Sequence, residues 1–331
     1  MYNPIKEDLD RVDDVIRACL ATEDKRIYPV SRSLSGASGK RLRPVFVLLS
    51  SKIGGKGGEN VIALAAAIEL IHTASLIHDD VIDKADVRRK KATVNSTWGN
   101  EFSVLLGDYI YSKAFFLLAR IEESEILASL SRATSIMCEG EMIQIAERDH
   151  WDLSEAEYLS IIEKKTASLF SASCESGARL GGADSEKVNA LSRYGSDFGI
   201  AFQIVDDCFD MIGEEKDLGK SLGSDLKAGK MTLPLIFLLD ALPEKGRKEV
   251  KSLLQSKDRS ASQAQIRQMV QEYGTIEGSL NKARAYLEQA KGALEILEGS
   301  VFREYFLKLA DDLLQKTVSR ESAAGKAQMT L

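Results

Sequence analysis

The chain has 331 residues, 44% hydrophobic and 28% charged, the proportions of a globular protein long enough to bury a sizeable core. Forty-four Lys and Arg against 50 Asp and Glu leave a net charge of −6, which excludes a general nucleic-acid binder. Four cysteines without a C-x-x-C pair, and only three histidines, exclude the usual zinc sites and fit a reduced, cytoplasmic setting.

Helical periodicity runs through the sequence and alternating strand patterns are scarce, so an all-α fold is expected. Ile5, Leu9, Val12, Ile16 and Leu20 recur at helical spacing and predict the first helix. The start, M-Y-N-P-I-K, has no basic segment leading into an apolar one and reads as no signal peptide. A loop around 35–39 precedes K-R-L-R-P at 40–44, and a helix is expected from about Pro44, where proline is tolerated in the first turn. After the glycines at 54–55 and 57–58, Asn60 reads as the N-cap of a long helix. Its most apolar part, 61–71, contains Glu69 and reads as too short to span a bilayer. Further helices are expected over 101–121, 125–148, 154–180 (with Ser154 and Glu157 as a capping box), 185–212, 233–242 and most of 244–317. No low-complexity linker divides the chain, so one domain over 1–320 is expected, followed by a fraying tail at 321–331.

The long helix ends in I-H-D-D-V-I-D at 77–83. At about 100° per residue, Asp79 and Asp83 fall one turn apart on one face, with Asp80 at its edge. Three carboxylates so close repel one another unless a cation lies between them, and a hard, oxygen-seeking ion such as Mg²⁺ suits them. The pattern returns as I-V-D-D-C-F-D, giving Asp206, Asp207 and Asp210. One triplet alone reads as a solvated helix face; two copies embedded in apolar sequence predict two facing metal-binding walls. Basic residues stand near both: Lys40, Arg41 and Arg43, then Arg88 and Arg89, Lys165, Lys220 and Lys230. Singly, each reads as a surface cation. Together, acidic walls and a basic rim are what a diphosphate ligand needs, because Arg supplies forked donors and Lys point charges.

With these anchors in order, the sequence resembles the trans-isoprenyl diphosphate synthases of the polyprenyl synthetase family, of the long-chain type. The match rests on G-K-R-L-R-P at 39–44, the long stretch ending in H-D-D-V-I-D at 78–83, and D-V-R-R at 86–89. It continues through G-E at 140–141 with Gln144, K-T at 165–166, F-Q-I-V-D-D-C-F-D at 202–210 and G-K-S-L-G-S-D-L-K-A-G-K at 219–230. The resemblance implies a single-domain isoprenoid synthase helical bundle with a central active-site cavity, and a homodimer. It implies that Asp79, Asp80, Asp83, Asp206, Asp207 and Asp210 hold Mg²⁺ against an allylic diphosphate gripped by Arg88, Lys165 and Lys230, with Lys220 beside them. Lys40, Arg43, His72 and Arg89 would bind isopentenyl diphosphate, while Thr166 and Gln203 would lie near the reacting carbons. The side chains about one turn before the first aspartates, here the small Ala74 and Ser75, would floor the product tunnel. Growth would then stop deeper, against Phe115, Leu118 or Leu130, giving a long all-trans product of about octaprenyl size for a quinone side chain, released with transient membrane contact; a short-chain synthase making geranylgeranyl or farnesyl diphosphate is the alternative.

Other readings meet obstacles in the same residues. A metal-dependent phosphohydrolase built on His78–Asp79 would want more histidines than His72 and His150 supply. A terpene cyclase would usually carry a different second acidic motif from D-D-C-F-D. A non-catalytic subunit would be expected to have lost ligands that are present here. Lys90 where glycine is usual after the paired arginines, Met231 where proline is usual, and Ser38 before Gly39 depart from the family pattern without removing a charged ligand.

Overall fold

The computed structural model describes residues 3–30, 40–88, 90–212, 223–256 and 259–327. The expected loop at 35–39, Arg89 and Lys220 lie outside these residues. Helices account for 80% of the structure, which makes the fold all-α.

In chain order the helices are α1 (Lys6–Leu20), α2 (Leu42–Gly54), α3 (Glu59–Ile82), α4 (Val94–Trp98), α5 (Asn100–Ala119), α6 (Ser124–Ala146) and α7 (Glu155–Ile162). A π-helical turn over Glu163–Ala167 comes next, then α8 (Ser168–Gly181), α9 (Ser185–Ile212), α10 (Ser224–Lys227) and α11 (Leu233–Ala241). The chain ends with α12 (Glu244–Leu254), α13 (Arg259–Glu272), α14 (Thr275–Ala293) and α15 (Val301–Ala327). The only strands among the described residues form a two-residue hairpin, Val87–Arg88 against Lys91–Ala92.

The chain forms two compact units, each drawn from three separate stretches. The first comprises Met1–Ser135, Leu169–Gly195 and Ala293–Tyr305. Its central element is α3, in which Leu64, Ala65, Ala66, Ala67, Ile68, Leu70 and Ile71 have almost no exposure. α1, α2 and α5 pack around it. The alanines keep the helix slim, and Gly107 on α5 goes further: a Cβ there would collide with the imidazole of His78. α2 and α8 touch backbone to backbone, since a Cβ on Gly177 would strike the carbonyl of Val47 and one on Gly54 would lie 2.6 Å from the carbonyl carbon of Gly181. Phe46 fills the space beside this contact, with ring centroids 5.3 Å from Phe170 and 5.7 Å from Tyr194.

The second unit comprises Ile136–Ser168, Ser196–Gly292 and Phe306–Leu331. Its apolar interior includes Leu233, Leu235 and Leu238 of α11, Ile266 and Val270 of α13, and Leu287 of α14. Pro234 sits in the first turn of α11, where its missing N–H costs nothing. Ser154 and Glu157 form the expected capping box on α7, the Ser154 N–H donating to Glu157 Oε2 at 2.8 Å.

Several boundaries differ from the sequence reading. α3 starts at Glu59 after Gly58 (φ 127°), because glycine alone enters that backbone region without strain, so Asn60 is not the cap. The helix expected over 154–180 is broken at 163–167 by the π turn. α3 and α5 are both long and apolar enough to cross a membrane, a length the sequence reading did not grant 61–71; 67% of that window in α3 is buried.

The close contact of α2 and α8 can be probed by Gly177→Ala. Overpacking should destabilise the protein by roughly 1–3 kcal/mol, read as a lower urea midpoint. An unchanged midpoint would show that the helices separate freely.

Candidate active site

In the first unit the acidic stretch closes α3. Asp80 is 5% exposed, and its Oδ1 accepts from Arg88 Nε at 2.7 Å. Asp79 and Asp83 are half-buried, and Asp83 is the C-terminal cap, its N–H donating to the Asp79 carbonyl at 2.8 Å. The hairpin delivers Arg88, pairing it with Lys91. Lys90 turns that hairpin with φ 64°, the left-handed region that glycine enters most readily, which explains why lysine is unusual there. Thr93 Oγ1 and Asn95 Nδ2 both donate to the Ala85 carbonyl, at 2.7 and 3.0 Å, and tie the hairpin's base to α4. Behind the aspartates, His78 Nε2 donates to the Val104 carbonyl at 3.1 Å, its ring lying in the notch left by Gly107.

The basic loop of the same unit is braced by Arg41, in a left-handed conformation (φ 50°). Its guanidinium donates to Asp13 at 3.0 Å and to Glu69, buried on α3, at 2.8 Å. With Arg41 fixed, Lys40 is left exposed and Arg43 turns inward, its guanidinium 4.3 Å from the centroid of Phe170. Burial pushes the Arg43 pKa down to about 10, so it stays a cation at neutral pH. His72 is half-buried on α3. Ala74 has no exposure, and Ser75 donates its hydroxyl to the His72 carbonyl at 2.9 Å. Leu118 and Leu130 are buried and Phe115 is partly so.

In the second unit Lys165 and Thr166 sit in the π turn, a deformation common at functional sites because one added residue re-aims the side chains around it. Gly140 on α6 makes room for it: a Cβ there would lie 2.6 Å from the Lys165 amide nitrogen. Lys165 pairs with Glu141 and donates to Gln144 Oε1 at 2.8 Å, which explains why G-E and Gln144 accompany K-T in the sequence.

The three aspartates of α9 meet different fates. Asp206 is exposed. Asp207 is 6% exposed and accepts from Tyr158 Oη and from Gln203 Nε2, both at 2.7 Å. Burial and the neighbouring charge of Asp225 push its pKa up to about 8. Asp210 is 7% exposed and caps α10: Oδ1 accepts the Ser224 hydroxyl at 2.7 Å, and Oδ2 accepts the Asp225 N–H at 3.1 Å. Lys230 Nζ lies 3.7 Å from Asp225 Oδ1. Tyr158, Asp225 and the brace through Arg41 were not singled out from sequence; an isolated tyrosine or aspartate carries no pattern until the fold shows its partner.

Among the described residues, no three acidic, histidine or cysteine side chains close around one point as a protein-only metal cage would. The donor set instead fits a hydrated divalent cation that takes one or two carboxylates and completes its shell with water and phosphate oxygens.

Comparison with known proteins agrees with this chemistry. The family model described as polyprenyl synthetase matches residues 24–273. The chain is similar to a short chain isoprenyl diphosphate synthase of Methanothermobacter thermautotrophicus, 39% identical over 93% of this chain and 96% of that protein. It is also similar to an octaprenyl diphosphate synthase of Haemophilus influenzae, 34% identical over 92% of each. Among solved structures, a polyprenyl synthase of Caulobacter crescentus, complexed with calcium and isoprenyl diphosphate, superposes with a TM-score of 0.88. It is 34% identical, with 94% of this chain and 95% of that one covered.

Proposed function

The chain belongs to the polyprenyl synthetase family and is therefore a prenyltransferase acting on isoprenyl diphosphates, and from that premise we propose that it makes a long all-trans polyprenyl diphosphate. The reaction is successive condensation of isopentenyl diphosphate onto an allylic primer, farnesyl or geranylgeranyl diphosphate, to about octaprenyl length for a quinone side chain. The observation that carries it is the completeness of both acidic sets and their basic companions. Asp79, Asp83 and Asp206, the more exposed carboxylates, would hold Mg²⁺, with Asp80, Asp207 and Asp210 behind them. Bound there, the ion supplies positive charge against the negative charge that gathers on departing diphosphate.

The chain's own residues do the rest. Arg88, already braced on Asp80, presents its remaining N–H groups to diphosphate oxygens. Lys165, Lys220 and Lys230 add ammonium charge. Lys40, Arg43, His72 and Arg89 take the diphosphate of the second substrate. The allylic cation is attacked by the isopentenyl double bond and the departed diphosphate takes the proton then lost, so neither a protein nucleophile nor a side-chain base is required, and exclusion of water protects the cation.

Chain length rests on Ala74 and Ser75. Named relatives of similar identity make short and octaprenyl products alike, so names do not separate the two readings, whereas small side chains at these positions favour growth past them. Elsewhere in the first unit, α5 exposes Leu105 (68%) and Phe116 (61%) with Val104, an apolar face that supports a homodimer burying it. The reading places the enzyme in the cytoplasm.

Purified protein given Mg²⁺, labelled isopentenyl diphosphate and farnesyl diphosphate should yield long labelled products. Asp79→Ala should cut turnover roughly a hundredfold or more. No incorporation beside active controls would defeat the proposal, and products stopping at geranylgeranyl would establish the short-chain alternative. Ala74→Phe should shorten the product; an unchanged length sinks the floor assignment. Leu105→Arg should convert a dimer to a monomer in sedimentation, and a wild-type monomer would refute the dimer.

A further inference from the structure

Tyr158 of α7 is 2% exposed, and its phenol makes a buried hydrogen bond. A buried phenol needs a partner, and this one donates to Asp207 Oδ2 at 2.7 Å. The other oxygen of Asp207 accepts from Gln203 Nε2, also at 2.7 Å. Gln203 Oε1 in turn accepts the hydroxyl proton of Thr166 at 2.7 Å. All four residues belong to the second unit.

The hydrogen bonds give this chain one polarity. A primary amide has one donating end and one accepting end. Here the donating end faces Asp207 and the carbonyl faces Thr166. The single O–H of Thr166 is then committed to that carbonyl. Beyond this chain the Gln203 carbonyl and the Thr166 hydroxyl offer lone-pair oxygen, which suits a carbocation and repels a diphosphate, while the second amide N–H belongs to the end that faces Asp207. With the amide reversed, the same position would offer N–H, and the threonine proton would be released to point elsewhere.

We propose that Tyr158 is a positioning residue for the condensation: by holding Asp207, it locks the Gln203 amide with its oxygen toward Thr166. Asp207 sits four residues after Gln203 on α9, so it is the natural handle for that amide. Gln203 alone cannot fix the carboxylate, because a single hydrogen bond leaves Cα–Cβ and Cβ–Cγ rotation free to carry both groups together. The phenol supplies the second fixed point from another helix. The inference rests on the proposed function in one respect, that Thr166 and Gln203 lie beside the reacting carbons.

The test is a cycle of Tyr158→Phe, Gln203→Leu and the double variant, assayed with farnesyl and isopentenyl diphosphates. Tyr158→Phe should lower kcat about tenfold, the scale of one lost buried hydrogen bond, with both KM values within about twofold. In the Gln203→Leu background the same change should alter kcat by less than about twofold, because its target is gone. An unchanged kcat in Tyr158→Phe, or an equal loss in both backgrounds, would overturn the lock and leave a packing role. A wild type that transfers no prenyl group would defeat the functional reading instead. In that event the melting temperatures of the four proteins still decide: non-additive shifts uphold the coupling of Tyr158 to Gln203, and additive shifts overturn it.

Discussion

The structure depends on how negative charge is tolerated inside apolar surroundings. Two helices each end in a run of aspartates, and each carboxylate carries a desolvation cost that something must offset. The solutions differ residue by residue. Asp80 is neutralised by Arg88, Asp207 is served by two neutral donors, Asp210 caps a short helix, and Asp206 stays in contact with solvent. The same rule governs the basic side. Arg41 commits its charge to Asp13 and Glu69, whereas Arg43 is stacked on an aromatic ring with its charge only partly balanced. Arg41 thus belongs to the frame, whereas Arg88 keeps further N–H groups beyond its bond to Asp80.

Much of this was legible in the sequence because it is periodic or repeated. The helices follow from apolar spacing, Ser154 and Glu157 announce their own cap, and the duplicated aspartate pattern is visible without any fold. The features that stayed hidden depend on three-dimensional partners. Whether Asp207 faces water or a phenol cannot be read from I-V-D-D-C-F-D, since Tyr158 lies 49 residues earlier. Gly58 displaced Asn60 as the cap because backbone conformation outweighed side-chain preference at that turn. The inward turn of Arg43 follows from the anchoring of Arg41, and the reach of Arg41 to Glu69 is a tertiary fact.

Glycines do the complementary work of bringing backbones together where charged side chains must be aimed. Gly107 admits the imidazole of His78 next to Asp79, and Gly140 admits the turn that carries Lys165 and Thr166. Both are places where an added methyl group would act on the chemistry through geometry, without touching a ligand.

The π turn at Glu163–Ala167 has a consequence for how this segment can change over time. It holds one residue more than an α-helical turn, so losing one residue there would restore ordinary winding while the helices on either side kept their phase, and what would change is the aim of Lys165 and Thr166. Substitutions on its outer side leave that phase intact. The fold would therefore absorb a one-residue gap in this segment, and a lineage that lost that residue would keep its helices and lose the aim of the side chains the turn carries.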